Sequence, residues 1–149
     1  MNDYFYCDTP FDQSCKVGTK SDDRLKDTLF VRFIGYADAY NHDMIVAYLD
    51  GVIDDQCRNV VVDLSGFVYV GESRVASILT CIAKRCKPRG GHCVIHSVQE
   101  NVREVFRLLG LEQFFPIMDS EEDARSYIRS RGEQAHTADA PEMVPPETK

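Results

Sequence analysis

The sequence predicts an α/β domain with a central, mostly parallel sheet of four to five strands and about four helices. Three observations carry this. Val60-Val61-Val62-Asp63-Leu64 is a short β-branched run that reads as a buried strand. From Glu72 the apolar period lengthens, and Val75, Ile78, Leu79 and Ile82 fall on one face at helical spacing. Short apolar strands then alternate with amphipathic helices along the chain, the pattern of parallel strands joined by helical crossovers. At 149 residues the chain can form one compact domain with its own core. We expect an N-terminal extension over 1–26, the domain over 27–131 and a flexible tail over 132–149.

The extension carries Tyr4, Phe5, Tyr6 and Phe11, too aromatic for a simple disordered tail, and these could form an interface or cover a sheet edge. Cys15 to Thr19 reads as an edge strand and Ser21 to Asp27 as a charged turn. Thr28 to Ile34 alternates as a strand and ends at Gly35. Asn41 is suited to cap the next helix, its side-chain oxygen accepting from first-turn N–H groups. That helix has two rows spaced by four, Met44-Tyr48-Val52 and Ile45-Leu49-Ile53, which predicts one broad buried face.

After the Val60 strand, Ser65-Gly66 reads as a loop, Phe67 to Val70 as a second apolar patch, and Gly71-Glu72-Ser73 as the start of a helix. Unpartnered N–H groups and the helix dipole favour negative charge there, whether carboxylate, phosphate or a partner's acidic group. Lys84, Arg85, Lys87 and Arg89 crowd the end of that helix, where cations suit its negative terminus, and Pro88 with Gly90-Gly91 stops it. His92 to His96 is the next strand. A third helix from Gln99 or Glu100 turns Val102, Val105, Phe106 and Leu109 inward and ends at Gly110 in a left-handed cap. Leu111 to Met118 holds a last short strand. Asp119 or Ser120 caps a final helix that buries Ala124, Tyr127 and Ile128.

The formal charge of −7 argues against nucleic acid or an anionic membrane as partner, since both need a cationic surface. No apolar run approaches the roughly 20 residues that span a bilayer. The first residues do not read as a secretory signal. The six cysteines show no C-x-x-C pairing and read as reduced thiols, not a disulfide framework or a zinc site. His42, His92, His96 and His136 have no metal-site spacing, and no metal or cofactor is expected. A P-loop, a G-x-G-x-x-G and a nucleophile elbow are all missing, and the pair Asp38 and Glu72 lacks a third group to complete a mechanism. The sequence predicts a protein that is not an enzyme.

Three segments, in order, resemble the STAS domain of anti-sigma-factor antagonists. Gly35 and Asp38 match an L-x-G-E-L-D-x-x-T pattern, with Tyr36 in place of Glu and Asn41 in place of Thr. VVDLSGFVYV followed by Gly71-Glu72-Ser73-Arg74-Val75-Ala76 matches V-L-D-L-S and D-S-S-G-L-G, and VREVFRLLGLEQFFPIMDSEEDA matches the closing helix, strand and helix. The resemblance covers about Thr28 to Arg131, and such domains usually open with two adjacent strands.

What the resemblance implies is partner switching in the bacterial cytoplasm. The antagonist docks on a serine-kinase anti-sigma factor, which disables it by phosphorylating the loop serine before the second helix. Asp38, Tyr40, Gly71, Glu72, Ser73 and Arg74 are the expected contact surface. The acceptor serine falls on Glu72, the Asp on Gly71 and the close-approach Gly on Arg74. Glu72 can then be a fixed partial mimic of phosphoserine, Ser73 can be a shifted acceptor, or the domain can be an unregulated adaptor. The plain reading of Glu72 is an acid at a helix start, and of Ser73 an N-cap. A STAS ligand-binding module for a nucleotide or apolar molecule, and an oligomeric subunit of a signalling assembly, stay open as alternatives.

Overall fold

Runs of β-branched and aromatic residues pair here in the order in which they occur in the chain. The computed structural model describes residues 4–6, 15–68 and 74–137, with side chains as far as Arg131. β1 (Phe5–Tyr6), β2 (Cys15–Asp22), β3 (Leu25–Gly35), β4 (Asn59–Phe67), β5 (Cys93–His96) and β6 (Ile117–Met118) form one six-stranded sheet in the order β1-β2-β3-β4-β5-β6. The first three strands pair antiparallel, and β3 to β6 pair parallel. α1 (His42–Val52), α2 (Val75–Cys86) and α3 (Glu100–Leu108) are the crossovers, and α4 (Glu121–Thr137) follows β6.

The α/β class and the helices agree with the sequence, but the sheet is wider than the four to five strands predicted. The reason is N-terminal. β2 runs on to Asp22 and is an inner strand, with β1 paired on its outer side. The turn shrinks to Asp23-Arg24, where the Asp22 carboxylate accepts the Arg24 N–H at 2.9 Å and buried Leu25 restarts the ladder. At the other end, α4 continues past Gly132 to Thr137.

Side-chain alternation splits the core in two. Val31 and Phe33 of β3, Val60, Val62 and Leu64 of β4, and Ile95 of β5 face α1, α2 and α3. Phe30, Val61 and Val94 face the other way, against Ala124 and Ile128 of α4. Ser65-Gly66 is not a loop. Arg32 pairs with Asp63 and Ile34 with Gly66, so β4 holds one extra residue, a β-bulge. The bulge resets the alternation, and Leu64 and Phe67 both enter the larger core although they are three apart. The Asp63 carboxylate secures it by accepting the Ser65 N–H at 2.8 Å and the Arg32 Nε–H at 2.8 Å.

Helix faces are narrower than the patterns suggest. In α1 the row Ile45, Leu49 and Ile53 is buried and Tyr48 and Val52 of the second row pack partly against the same core, while Met44 in the first turn is exposed. In α3, Val102 and Phe106 are buried, but Leu109 is exposed just before Gly110 turns the chain left-handed at φ 71°. α4 starts as predicted, with Ser120 Oγ accepting the Asp123 N–H at 3.2 Å. Two of the four cations in and just after the last turn of α2 serve a neighbour. Arg85 donates to the Ile53 carbonyl at 2.7 Å, and Arg89 donates to the carbonyls of Asp54 and Cys57 at 2.7 and 2.6 Å. They satisfy the C-terminal exit of α1, whose last turn holds no basic residue.

Candidate functional site

The site is built where β3 and β4 end. Gly35 closes β3 at φ 107°, a conformation that side chains disfavour, and lets the chain leave the sheet sharply. In the loop that follows, Asp38 Oδ1 accepts the N–H groups of Tyr40 and Asn41 at 2.9 and 3.0 Å. Asn41 is wholly buried (0% exposed) and spans the loop from the other side. Its Oδ1 accepts the Asp38 N–H, and its Nδ2 donates to the Tyr36 carbonyl, both at 2.9 Å. Asn41 therefore does not cap α1 with its side chain. The amide fits inside the loop, where the N–H of Asp38 and the carbonyl of Tyr36 need partners more than the helix end does. The tied loop presents Tyr40, 84% exposed, at its tip.

Two backbone hydrogen bonds bring the second segment alongside. The Val68 N–H donates to the Gly35 carbonyl at 2.7 Å, and the Arg74 N–H donates to the Ala37 carbonyl at 3.1 Å. Arg74 precedes the first helical residue, Val75, so α2 begins after the predicted Glu72. Of the predicted surface, the structure brings Asp38, Tyr40 and Arg74 to one end of the sheet. Gly71, Glu72 and Ser73 lie outside the described residues.

Residue-level reading of the sequence missed His42. Its Nε2 meets Ser77 Oγ at 2.9 Å, and its Nδ1 meets Asp43 Oδ1 at 3.0 Å. This has the connectivity of a Ser–His–Asp relay, but Ser77 is exposed and the Asp43 carboxylate stands in open water. Without a desolvated pocket the arrangement works as a latch between the starts of α1 and α2. No spacing rule in the sequence pairs positions 42 and 77.

The electrostatics tie the same end together. Burial, helped by the charge of Asp38, pushes the Cys15 thiol up to about 12. Burial would raise the Asp63 carboxyl, but the hydrogen bonds from Ser65 and Arg32 outweigh it and hold the carboxyl below its ordinary value. Cys15, Cys57, Cys81, Cys86 and Cys93 are free thiols. Among the described residues, no group of three His, Cys, Asp or Glu is placed to hold a metal, and no helix is long and apolar enough to cross a membrane. Among the described residues, β3 to β6 follow one another without the reversal of strand order that opens a crevice of the doubly wound kind. What the arrangement offers is a surface: an exposed aromatic on a rigid loop beside the start of a helix.

Known proteins share this plan. A protein of Bordetella bronchiseptica named as a candidate anti-sigma factor antagonist, BtrV, is 27% identical over 108 residues, covering 72% of this chain and 92% of that protein. The anti-sigma F factor antagonist of Paenibacillus polymyxa is 29% identical over 97 residues, covering 64% of this chain and 82% of that protein. A solved anti-sigma-factor antagonist (STAS) domain protein from Planctomyces limnophilus superposes with a TM-score of 0.64, over 76% of this chain and 97% of that one. At 18% identity it shows the shared fold alone. The family model described as the STAS domain matches residues 20–124, and the chain belongs to that family.

Proposed function

We propose that this chain is a non-catalytic, protein-binding regulator that works as an anti-sigma-factor antagonist in a partner-switching pathway. Its partner is a serine-kinase anti-sigma factor or a related regulatory protein. The observation that carries this reading is the hydrogen bond from the Arg74 N–H to the Ala37 carbonyl. It joins the loop that presents Tyr40 to the start of α2, giving one rigid docking edge. Tyr40 supplies the exposed anchor, Asp38 and Asn41 hold it in position, and the Gly71 to Arg74 stretch completes the surface. The lack of a switch-point crevice favours docking over small-molecule binding at this end.

Regulation turns on Glu72, which stands where the family resemblance puts the phosphoacceptor serine. A glutamate carries about one negative charge where a phosphoserine carries about 1.5 to 2. In this reading Glu72 is a standing acid at the docking edge, and Ser73 is the hydroxyl left for a kinase to modify. The test is a pull-down from host lysate with the wild-type chain beside Glu72→Ser, read by mass spectrometry. A serine kinase or sigma-pathway protein captured by either form supports the docking role. Stronger capture by Glu72→Ser makes Glu72 a phosphate mimic, and equal capture makes it an ordinary helix-start acid. If neither form captures such a protein while both stay folded, the reading fails.

A further inference from the structure

The far end of α2 carries a second surface. Leu108, Leu109 and Phe114 are 79, 57 and 73% exposed, three large apolar side chains close in sequence at the end of α3 and in the turn after it. Beside it lie two adjoining grooves of about 400 and 370 Å3, which share Ala83, Lys87, Phe114 and Phe115. One wall of the smaller groove is the row Thr80, Ala83, Lys84 and Lys87, and the other is Leu111, Phe114 and Phe115. Large apolar side chains clustered at a surface mark interaction sites, whereas single ones do not.

Charge identifies the occupant. Arg85 and Arg89 turn away from the groove to the exit of α1 and to Asp50 and Asp55. Lys84 and Lys87 line the groove and make no ion pair among the described residues. In a chain of net charge −7 they form a cationic rim on an apolar trough. Glu112, the acid that also lines the larger groove, is paired with Arg103 at 3.6 Å. From Thr80 to Lys87 the wall is about 10 Å long, the length of two helical turns.

We propose that this groove is a second docking site, which takes an acidic amphipathic helix from a partner protein. Two turns of that helix lay an apolar stripe against Leu111 and Phe114, and its flanking carboxylates reach Lys84 and Lys87. Lys87 lies about 20 Å along α2 from Arg74, so both ends of the domain can be occupied at once. The site does not depend on the function proposed above.

The probe is a helical peptide of about 18 residues with Leu at i, i+3, i+4 and i+7 and Glu beside them, with a Lys-for-Glu copy as control. Binding to the full chain is read by fluorescence anisotropy and mapped by amide NMR shifts. The acidic peptide is expected to bind more tightly than its basic copy and to shift residues 80–87 and 108–115 while leaving Tyr40 unmoved. Lys84→Glu/Lys87→Glu is expected to weaken it about five- to tenfold, the worth of two surface charge pairs. Phe114→Ala is expected to weaken it about tenfold, as loss of an aromatic anchor does. All three side chains are exposed, so unchanged melting temperatures separate these effects from misfolding. Equal binding of both peptides, or an undiminished double variant, overturns the proposal. So does concentration-dependent dimerisation through Leu108 and Phe114, or binding that appears only when residues 138–149 are removed. Those two results would give the groove to a second copy or to the chain's own end.

Discussion

Asn41 and Tyr40 are neighbours with opposite jobs. The Asn41 amide is buried and closes the loop on both sides, while the Tyr40 ring stands in solvent. Asn41→Ala is expected to destabilise the domain by about 2–3 kcal/mol, because it strands the Asp38 N–H and the Tyr36 carbonyl. Urea unfolding with an unchanged m-value checks this. Tyr40→Ala is expected to leave stability within about 0.5 kcal/mol, as for most surface changes, and to lose the captured partner in the pull-down. If Tyr40→Ala captures the partner as wild type does, the ring is not the anchor. Gly35 and Asp38 were legible as motif positions. The role of Asn41 was not, because the same amide can cap a helix or bridge a loop and only the surrounding backbone decides.

Two elements owe their form to neighbours far away in the chain. The bulge in β4 rests on Asp63, held by Ser65 within the strand and by Arg32 across it. Its sequence, Asp-Leu-Ser-Gly, looks like a strand end, and only the register against β3 shows that pairing resumes at Gly66. The exit of α1 likewise depends on Arg89 from beyond α2. Arg89→Ala is expected to cost up to about 1.5–3 kcal/mol, the usual worth of hydrogen bonds made by a charged group. Hydrogen exchange should localise the loss to the last turn of α1 and residues 54–57. Faster exchange in α2 alone would contradict the bracing role.

The whole molecule is most exposed to acid. On the α4 face, Arg125 reaches Asp22 at 2.7 Å and Glu121 at 2.8 Å, and Lys20 reaches Glu121 at 3.2 Å. Burial would raise the Glu121 carboxyl, but Arg125 and Lys20 hold it below its ordinary value, and Arg24 and Arg125 do the same for Asp22. Such carboxylates stabilise the fold fully above their ordinary range and lose that contribution as pH falls through the folded value. His92 and His96 are lowered by burial. The native state holds them neutral, so each begins to cost stability as pH falls below its ordinary value of 6.5. The melting temperature is therefore expected to be nearly flat between about pH 7 and pH 8, to decline below about pH 6.5, to fall more steeply below about pH 4.5, and to decline again above about pH 8.5, where the unfolded chain ionises the thiols that burial keeps neutral in the fold. A His92→Gln/His96→Gln variant should lose the first decline and keep the second. If the first decline survives in that variant, other groups drive it.

Period and local residue chemistry determined the α/β class, the crossover helices and the α3 terminus at Gly110, and the three motif segments carried the resemblance to the family. These features arise from local rules: apolar spacing, capping residues and glycine conformation act over a few residues, so they can be read in a line. Tertiary structure decided the width of the sheet, the β4 bulge, the inner row of α1, the clamp at Asn41 and the His42–Ser77 latch. Apart from the Asn41 clamp, which spans only five residues but chooses between a helix end and a loop, each of these pairs groups far apart in the chain or makes two elements compete for one face. The outcome depends on which backbone groups still lack a partner once the sheet has formed, and no stretch of sequence records that.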